Sequence, residues 1–264
     1  MSSERLRTIR RNGKFPIYVW SYGANEVQVE RTIRGLEYVL NRLELEDKFP
    51  VYYFNEEYSN EAWGSSEFYF THPRVRKRVN EWGELQICAT DLLDLCINEP
   101  WQATPHIEVA ITGLDLWPGS PGVRFVYGLT RPLVYGNQVN LYPGVVLSPY
   151  RMQKYYRNPL KIFSLLAIHE FGHLVGLPQR KGIDTEETLG HHCVRADCAM
   201  SQVNVERRIL FPDGRVERRF IGADETSDLV QRRFARSGEY FCESCLEDLK
   251  ISKKVIEEGL FHSR

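Results

Sequence analysis

The stretch HEFGHLVGL (169–177) carries two histidines and a carboxylate at spacings that suit a metal ion and its water. Residues four apart share one face of a helix, so His169 and His173 can grip a single ion. Glu170 is rotated about 100° from His169. It cannot easily join that facial pair, but it can reach a metal-bound water. Neutral imidazoles leave zinc Lewis acidic, and its water then ionises near pH ~7. A carboxylate such as Glu170 takes the proton as that water attacks a carbonyl and passes it to the leaving amine. Zinc sites of this kind use three protein ligands. No histidine follows closely after Gly176, and the residue three past it is Gln179. The next histidines are His191 and His192, in LGHHCVRADCAM (189–200). The polar, loop-like interval before them is long enough to return over the metal.

Four of the 6 cysteines form spaced pairs, Cys193 with Cys198 and Cys242 with Cys245. In a cytosolic chain such Cys-x4-Cys and Cys-x2-Cys spacings favour metal over disulfide. Cys88 and Cys96 lie in EWGELQICATDLLDLCINE, which has helical periodicity and predicts a helix over 78–98. Eight residues of helix separate two thiols by about 12 Å, beyond disulfide reach. These two read as buried core thiols.

The element that must carry His169 and His173 is RNPLKIFSLLAIHEFGHLVGLP (157–178). Asn158 can cap its start and Pro159 suits the first helical position. Gly176 suits a left-handed residue past its end, and Pro178 forbids continuation. Upstream, residues 14–24, 25–45 and 48–57 read as strand, helix and strand, a β-α-β unit whose strands should be parallel. Residues 59–77 read as loop. Further strands are expected at 105–117, 123–130 and 143–151, with another at 134–142 and a turn at 117–122. Downstream, 205–222 reads as a hairpin around Pro212-Asp213-Gly214. Residues 241–259 read as a Cys-x2-Cys knuckle running into a helix. The organisation expected is a loose polar arm at 1–13, a catalytic domain at 14–200 and a C-terminal subdomain at 201–264.

With HEFGHLVGL, HHCVRADCAM and FCESC in place, the chain resembles the archaemetzincins, a branch of the metzincin zinc peptidases. Their pattern is His-Glu-x-x-His-x-x-Gly-x-x-His-Cys-x4-Cys-x-Met, then Cys-x-x-Cys. His169, Glu170, His173, Gly176, His192, Cys193, Cys198, Met200, Cys242 and Cys245 match it in order. About a dozen residues are inserted before the His-Cys pair, and the stretch from Met200 to Cys242 is longer than usual. GLDLW (113–117), FVYG (125–128) and VVLSPYRM (145–152) resemble the family's strand motifs more weakly.

The resemblance implies an α/β (α+β) fold with a metzincin-like mixed twisted sheet, a zinc-binding active-site helix and a C-terminal subdomain held by a four-cysteine zinc. His192, which directly precedes Cys193, would be the displaced third ligand, with His191 the alternative. Met200 would be the Met-turn residue beneath the zinc. The residue two past it, a tyrosine in some metzincins, is Gln202, so no oxyanion stabiliser is identified. Cys193, Cys198, Cys242 and Cys245 would close a tetrahedron with no open position, a structural site. Two Zn2+ per chain are therefore expected. VRFVYG (123–128) would be the edge strand that pairs with an extended peptide.

The function expected is hydrolysis of peptides or small proteins by a zinc-activated water with Glu170 as base, and aminopeptidase action is compatible with the resemblance. A zinc-stabilised module that binds peptides or partners without cleaving them is the alternative; Glu170 argues against it, because a pure binder needs no base. A zinc-ribbon nucleic-acid protein is disfavoured by a formal net charge of -1. DNA-associated proteases also join His-Glu-x-x-His to a zinc ribbon, but usually with two Cys-x2-Cys knuckles. The N-terminus lacks the apolar core of a signal peptide and no apolar run could span a bilayer. A cytoplasmic location, with no nucleic acid or membrane as partner, is the expectation. His72, His106 and His262 have no metal-like spacing and read as ordinary surface or core residues.

Overall fold

A computed structural model describes residues 2–54, 67–97, 105–179, 185–187 and 191–262. The chain opens with α1 (Ser2–Asn12), then β1 (Ile17–Tyr22), α2 (Glu26–Leu43) and β2 (Val51–Phe54). Next come α3 (Glu67–Thr71), β3 (Lys77–Val79), β4 (Leu85–Cys88), α4 (Ala89–Ile97), β5 (Ile107–Thr112), β6 (Asp115–Trp117) and β7 (Gly128–Arg131). The short pair β8 (Val134–Tyr135) and β9 (Gln138–Val139) precedes β10 (Gly144–Leu147), α5 (Tyr150–Tyr155) and α6 (Pro159–Leu174). After α6 lie β11 (Thr185–Glu187), β12 (His191–Cys193), β13 (Val205–Leu210), β14 (Val216–Ile221), α7 (Ala223–Ser237), α8 (Glu243–Ile256) and a π-helical turn, Glu257–Phe261.

The main sheet has the order β2-β1-β5-β10-β7. Its first four strands are parallel and β7 runs antiparallel along one edge. β5, IEVAIT, is buried at every position, as a central strand covered on both faces must be. Strand period sorts β1 between two cores. Ile17 and Val19 face the larger one, with α2 and α6, whereas Trp20 faces the smaller one, with Leu92, Leu93 and Cys96 of α4. The parallel β1–β2 pair confirms the β-α-β reading. α2 begins at Asn25, whose side chain and that of Gln28 cap each other's backbone N–H groups. A Cβ on Gly35 would stand 2.9 Å from Ala167 Cβ, so this glycine lets α2 approach α6 closely. The architecture is a mixed α/β twisted sheet with the long helix α6 and a four-cysteine cluster beside it.

Several local expectations need correction. The polar N-terminus is a helix: Ile9 is buried in the larger core and Leu6 packs on it, so its one apolar stripe gains enough contact to order it. The helix expected over 78–98 starts only at Ala89; residues before it pair as β3 and β4, and Cys88 ends a strand. Both Cys88 and Cys96 are buried. The 105–117 strand divides at Gly113, whose Cα packs against Gly23, and its second half joins the separate sheet β3-β4-β6. In 143–151 only Gly144–Leu147 is strand, and Tyr150 already begins α5. Within 59–77, residues 59–66 lie outside the described residues, and the remainder holds α3 and the start of β3. α7 carries no expected counterpart; its charged surface masks an inner face of Ala223, Thr226, Ser227, Val230 and Arg233.

The small sheet is tied to the segment leading into α6 by Arg151. Its guanidinium donates to Asp115 at 2.7 and 2.8 Å and to Glu81 at 2.6 and 3.0 Å. Arg151 and Asp115 are both buried. Arg151→Met would leave the Asp115 carboxylate buried without its counter-charge. We expect a loss of about 3 kcal/mol, read as a lower urea midpoint at unchanged slope. An unchanged midpoint would show the pair to be energetically neutral.

Candidate metal centre

α6 is set by its ends. Asn158 occupies the N-cap and Pro159 the first turn, but the Asn158 side chain makes no capping bond; its backbone carbonyl accepts from Lys161 and Ile162 instead. At the other end Gly176 has φ +92°, a conformation that favours glycine, and the chain leaves the helix there.

This helix presents His169 and His173, and β12 brings His192 against them. One nitrogen from each of these three residues lies within 4.8 Å of the others. His169 and His192 rings stack at 5.3 Å between centroids, and His173 meets His192 edge-on at 5.0 Å. His191, the neighbour of His192 in β12, is not in the group. Successive strand residues face opposite ways, so only one of the two can point inward.

The imidazoles are oriented by backbone. His169 Nδ1 lies 2.8 Å from the Ala199 carbonyl and His173 Nδ1 lies 2.8 Å from the Leu177 carbonyl. A carbonyl can only accept, so both Nδ1 atoms carry the proton and both Nε2 atoms present a lone pair. Those two Nε2 atoms are 3.1 Å apart. Two acceptors at that distance repel unless a cation lies between them. A tetrahedral zinc with arms of about 2.0 Å has edges of about 3.3 Å, so the spacing fits. Burial, with repulsion from His169 and His192, holds His173 well below its ordinary pKa and keeps it neutral, as a ligand must be.

Glu170 is buried beside this group. Thr130 of β7 donates its hydroxyl to Glu170 Oε2 at 2.6 Å. Burial pushes the Glu170 carboxyl up to about 7, and the Thr130 bond pulls it partly back. Gly128, also of β7, lies against the same carboxylate: a Cβ there would stand 2.7 Å from both Glu170 Cγ and Oε1. Gly128→Ala should therefore displace the carboxylate. If Glu170 serves as a general base in peptide hydrolysis, kcat/KM should fall by about 10²-fold with metal content unchanged; wild-type turnover would show that the strand moves instead.

The four cysteines also meet. Cys193, Cys198, Cys242 and Cys245 are buried and their sulfurs lie within 4.8 Å of one another. Cys193 Sγ is 3.6 Å from Cys242 Sγ and Cys198 Sγ is 3.7 Å from Cys245 Sγ. A disulfide needs about 2.05 Å, whereas a zinc with thiolate arms of about 2.3 Å has tetrahedral edges of about 3.8 Å. Hydrogen bonds from Cys193, Cys198 and Cys245 pull the Cys242 thiol far down, while burial pushes Cys198 up. A divalent ion at the centre of the four sulfurs is what would let closely packed thiolates coexist. Cys193 joins the two groups, since it follows His192 directly.

Met200 is fully buried under α6, where a Cβ on Gly172 would lie 2.2 Å from its Sδ. Gln202 is buried two residues on. Gln179 is not among the histidines: it bonds to α8. His106 is buried and bonds Glu108 at 2.8 Å, His72 accepts from the Arg74 N–H, and His262 is exposed; none lies in either group. Thr130, Gly128 and the carbonyls of Ala199 and Leu177 escaped sequence reasoning. Backbone carbonyls leave no residue signature, and Thr130 is marked only by a strand crossing α6. The edge strand also shifts: β7 is Gly128–Arg131, and of 123–128 only the last residue belongs to it.

No family model matches the chain, and no curated protein matches it. Among solved structures it is similar to the archaemetzincin of Methanopyrus kandleri, with a TM-score of 0.51 and 19% identity over 92% of this chain and 98% of that one. Metalloproteinase-II of Bacteroides fragilis gives a TM-score of 0.35 and 12% identity over 67% of this chain and 45% of the other. At 19% identity the likeness to the first of these is one of fold. The chain has an archaemetzincin-like fold, and within it a three-histidine group and a four-cysteine group that could each bind zinc.

Proposed function

We propose that the protein is a zinc-dependent metallopeptidase with one catalytic and one structural Zn2+ per chain. His169, His173 and His192 would hold the first, and Cys193, Cys198, Cys242 and Cys245 the second. The observation that carries this reading is the convergence of the three histidine nitrogens, with a buried carboxylate one residue along the chain from His169. Bound zinc supplies an acidic water and polarises the scissile carbonyl. Glu170 takes the proton from that water and delivers it to the leaving nitrogen; its raised pKa suits both duties near neutrality. Thr130 holds the carboxylate in place. Met200 packs beneath the helix and keeps the ligand face fixed.

β7 is an edge strand, and no strand pairs with its outer side among the described residues. An extended peptide can add there through main-chain hydrogen bonds, which give affinity with little sequence preference. The substrate class is therefore peptides. Aminopeptidase action is the finer reading, and paired peptides with free and acetylated N-termini test it.

The deciding experiment is zinc per chain by elemental analysis on protein prepared without tag or chelator, followed by a peptide-library screen. Two zincs, falling to one in His192→Ala together with all cleavage, support the enzyme. One zinc that survives His192→Ala would leave only the four-cysteine site and a non-catalytic binding module. No helix among the described residues is long and apolar enough to cross a membrane. A cytoplasmic, membrane-independent enzyme that does not act on nucleic acid remains part of this proposal.

A further inference from the structure

Gln179 stands where the resemblance would place a histidine ligand, and its contacts show another use. Its backbone N–H donates to Asp248 Oδ2 at 2.9 Å and its side-chain amide donates to Ser252 Oγ at 2.7 Å. Ser252 Oγ in turn donates to the Asp248 carbonyl at 3.1 Å. Asp248 and Ser252 are buried on α8, on the stripe that begins at Cys245. Residues three and four apart share a helix face, so the sulfur ligand and the Gln179 seat form one continuous surface.

The interval that ends at His192 is thus fixed to α8 at both ends. Gln179 fixes its start. Cys193, gathered with Cys242 and Cys245, fixes its end. A second link runs the other way along the chain. Leu177, two residues before Gln179, supplies the carbonyl that orients His173. Anchoring Gln179 therefore steadies His173 through Leu177.

We infer that Gln179 and Ser252 are positioning residues for the three-histidine site, a clamp on α8 that replaces the ligand role of this position. The inference rests on the proposed metal reading of His169, His173 and His192. The clamp touches no ligand atom itself. Outer partners of this kind typically alter metal affinity by roughly 10- to 100-fold.

The test is cobalt(II) titration of the full chain, wild type against Gln179→Ala and Ser252→Ala. The thiolate charge-transfer band reports the four-cysteine site, and the weaker ligand-field bands report the histidine site. We expect both variants to lose roughly 10- to 100-fold in affinity at the histidine site, with the thiolate band and the thermal midpoint unchanged. Unchanged affinity at both sites would overturn the inference. So would parallel loss at both sites with a lowered midpoint, because the contact would then serve the fold alone. If the wild type itself shows only the thiolate band, the metal reading of the histidines fails, and the clamp falls with it. Gln179→His should not add a ligand, because the side chain at this position points to α8; histidine-site affinity above wild type in that variant would also overturn the assignment.

Discussion

Glu170→Gln is expected to lower kcat/KM for a cleaved peptide by about 10²- to 10⁴-fold while zinc content stays at the wild-type value. The substitution is nearly isosteric. It matters that it should be, because Gly128 leaves no spare room beside the carboxylate. The amide oxygen of glutamine can still accept from Thr130, so the local packing survives. What disappears is the group that accepts and returns the proton. Steady-state kinetics with metal analysis on the same preparation checks the point. Activity within a few-fold of wild type would remove Glu170 from the mechanism.

Cys193→Ser should be the most destabilising of these changes. It breaks the buried four-cysteine group, proposed to hold a structural zinc, and Cys193, Cys198, Cys242 and Cys245 lie in the larger core. Loss of a structural metal belongs to the few mechanisms that exceed about 4 kcal/mol. In a chain of this size that is a drop of roughly 8–16 °C in Tm. The metal readout is more telling than the melting point. Because His192 and Cys193 are neighbours, the variant should lose zinc from both groups, so that content falls below one per chain. Full occupancy of the histidine site in Cys193→Ser would separate the two sites and refute the coupling.

The sequence disclosed the chemistry more readily than its setting. His169, Glu170 and His173 declare themselves because helical period is fixed, so their spacing is already a geometry. The four cysteines were legible because short Cys-x4-Cys and Cys-x2-Cys gaps let both sulfurs of a pair reach one ion, and their meeting in space agrees with it. Choosing His192 over His191 rested on a family pattern; in the structure it is strand alternation that turns one inward. The β-α-β unit and the central strand were legible from periodicity and apolar runs. The element boundaries near Cys88 were not, because LQIC fits a buried strand as well as a helix and only its pairing with β3 and β6 decides. The N-terminal helix was hidden for a related reason. Its apolar stripe is narrow, and Ile9 and Leu6 are stabilised by contacts with residues far along the chain.

The joint at His192 and Cys193 has a consequence for how this site can vary. In a site of fixed spacing, the distance along the chain from Gly176 sets where the third imidazole arrives. Here the cysteine neighbour would set it, and β11 pairs with β12 beside it, so the count of residues between Gln179 and β11 need not be fixed. Doubling a flexible interval costs only about 0.6 kcal/mol. Insertions between Gln179 and β11 should therefore accumulate without moving His192, and a search that demands a constant gap would pass over chains that gather the same three histidines.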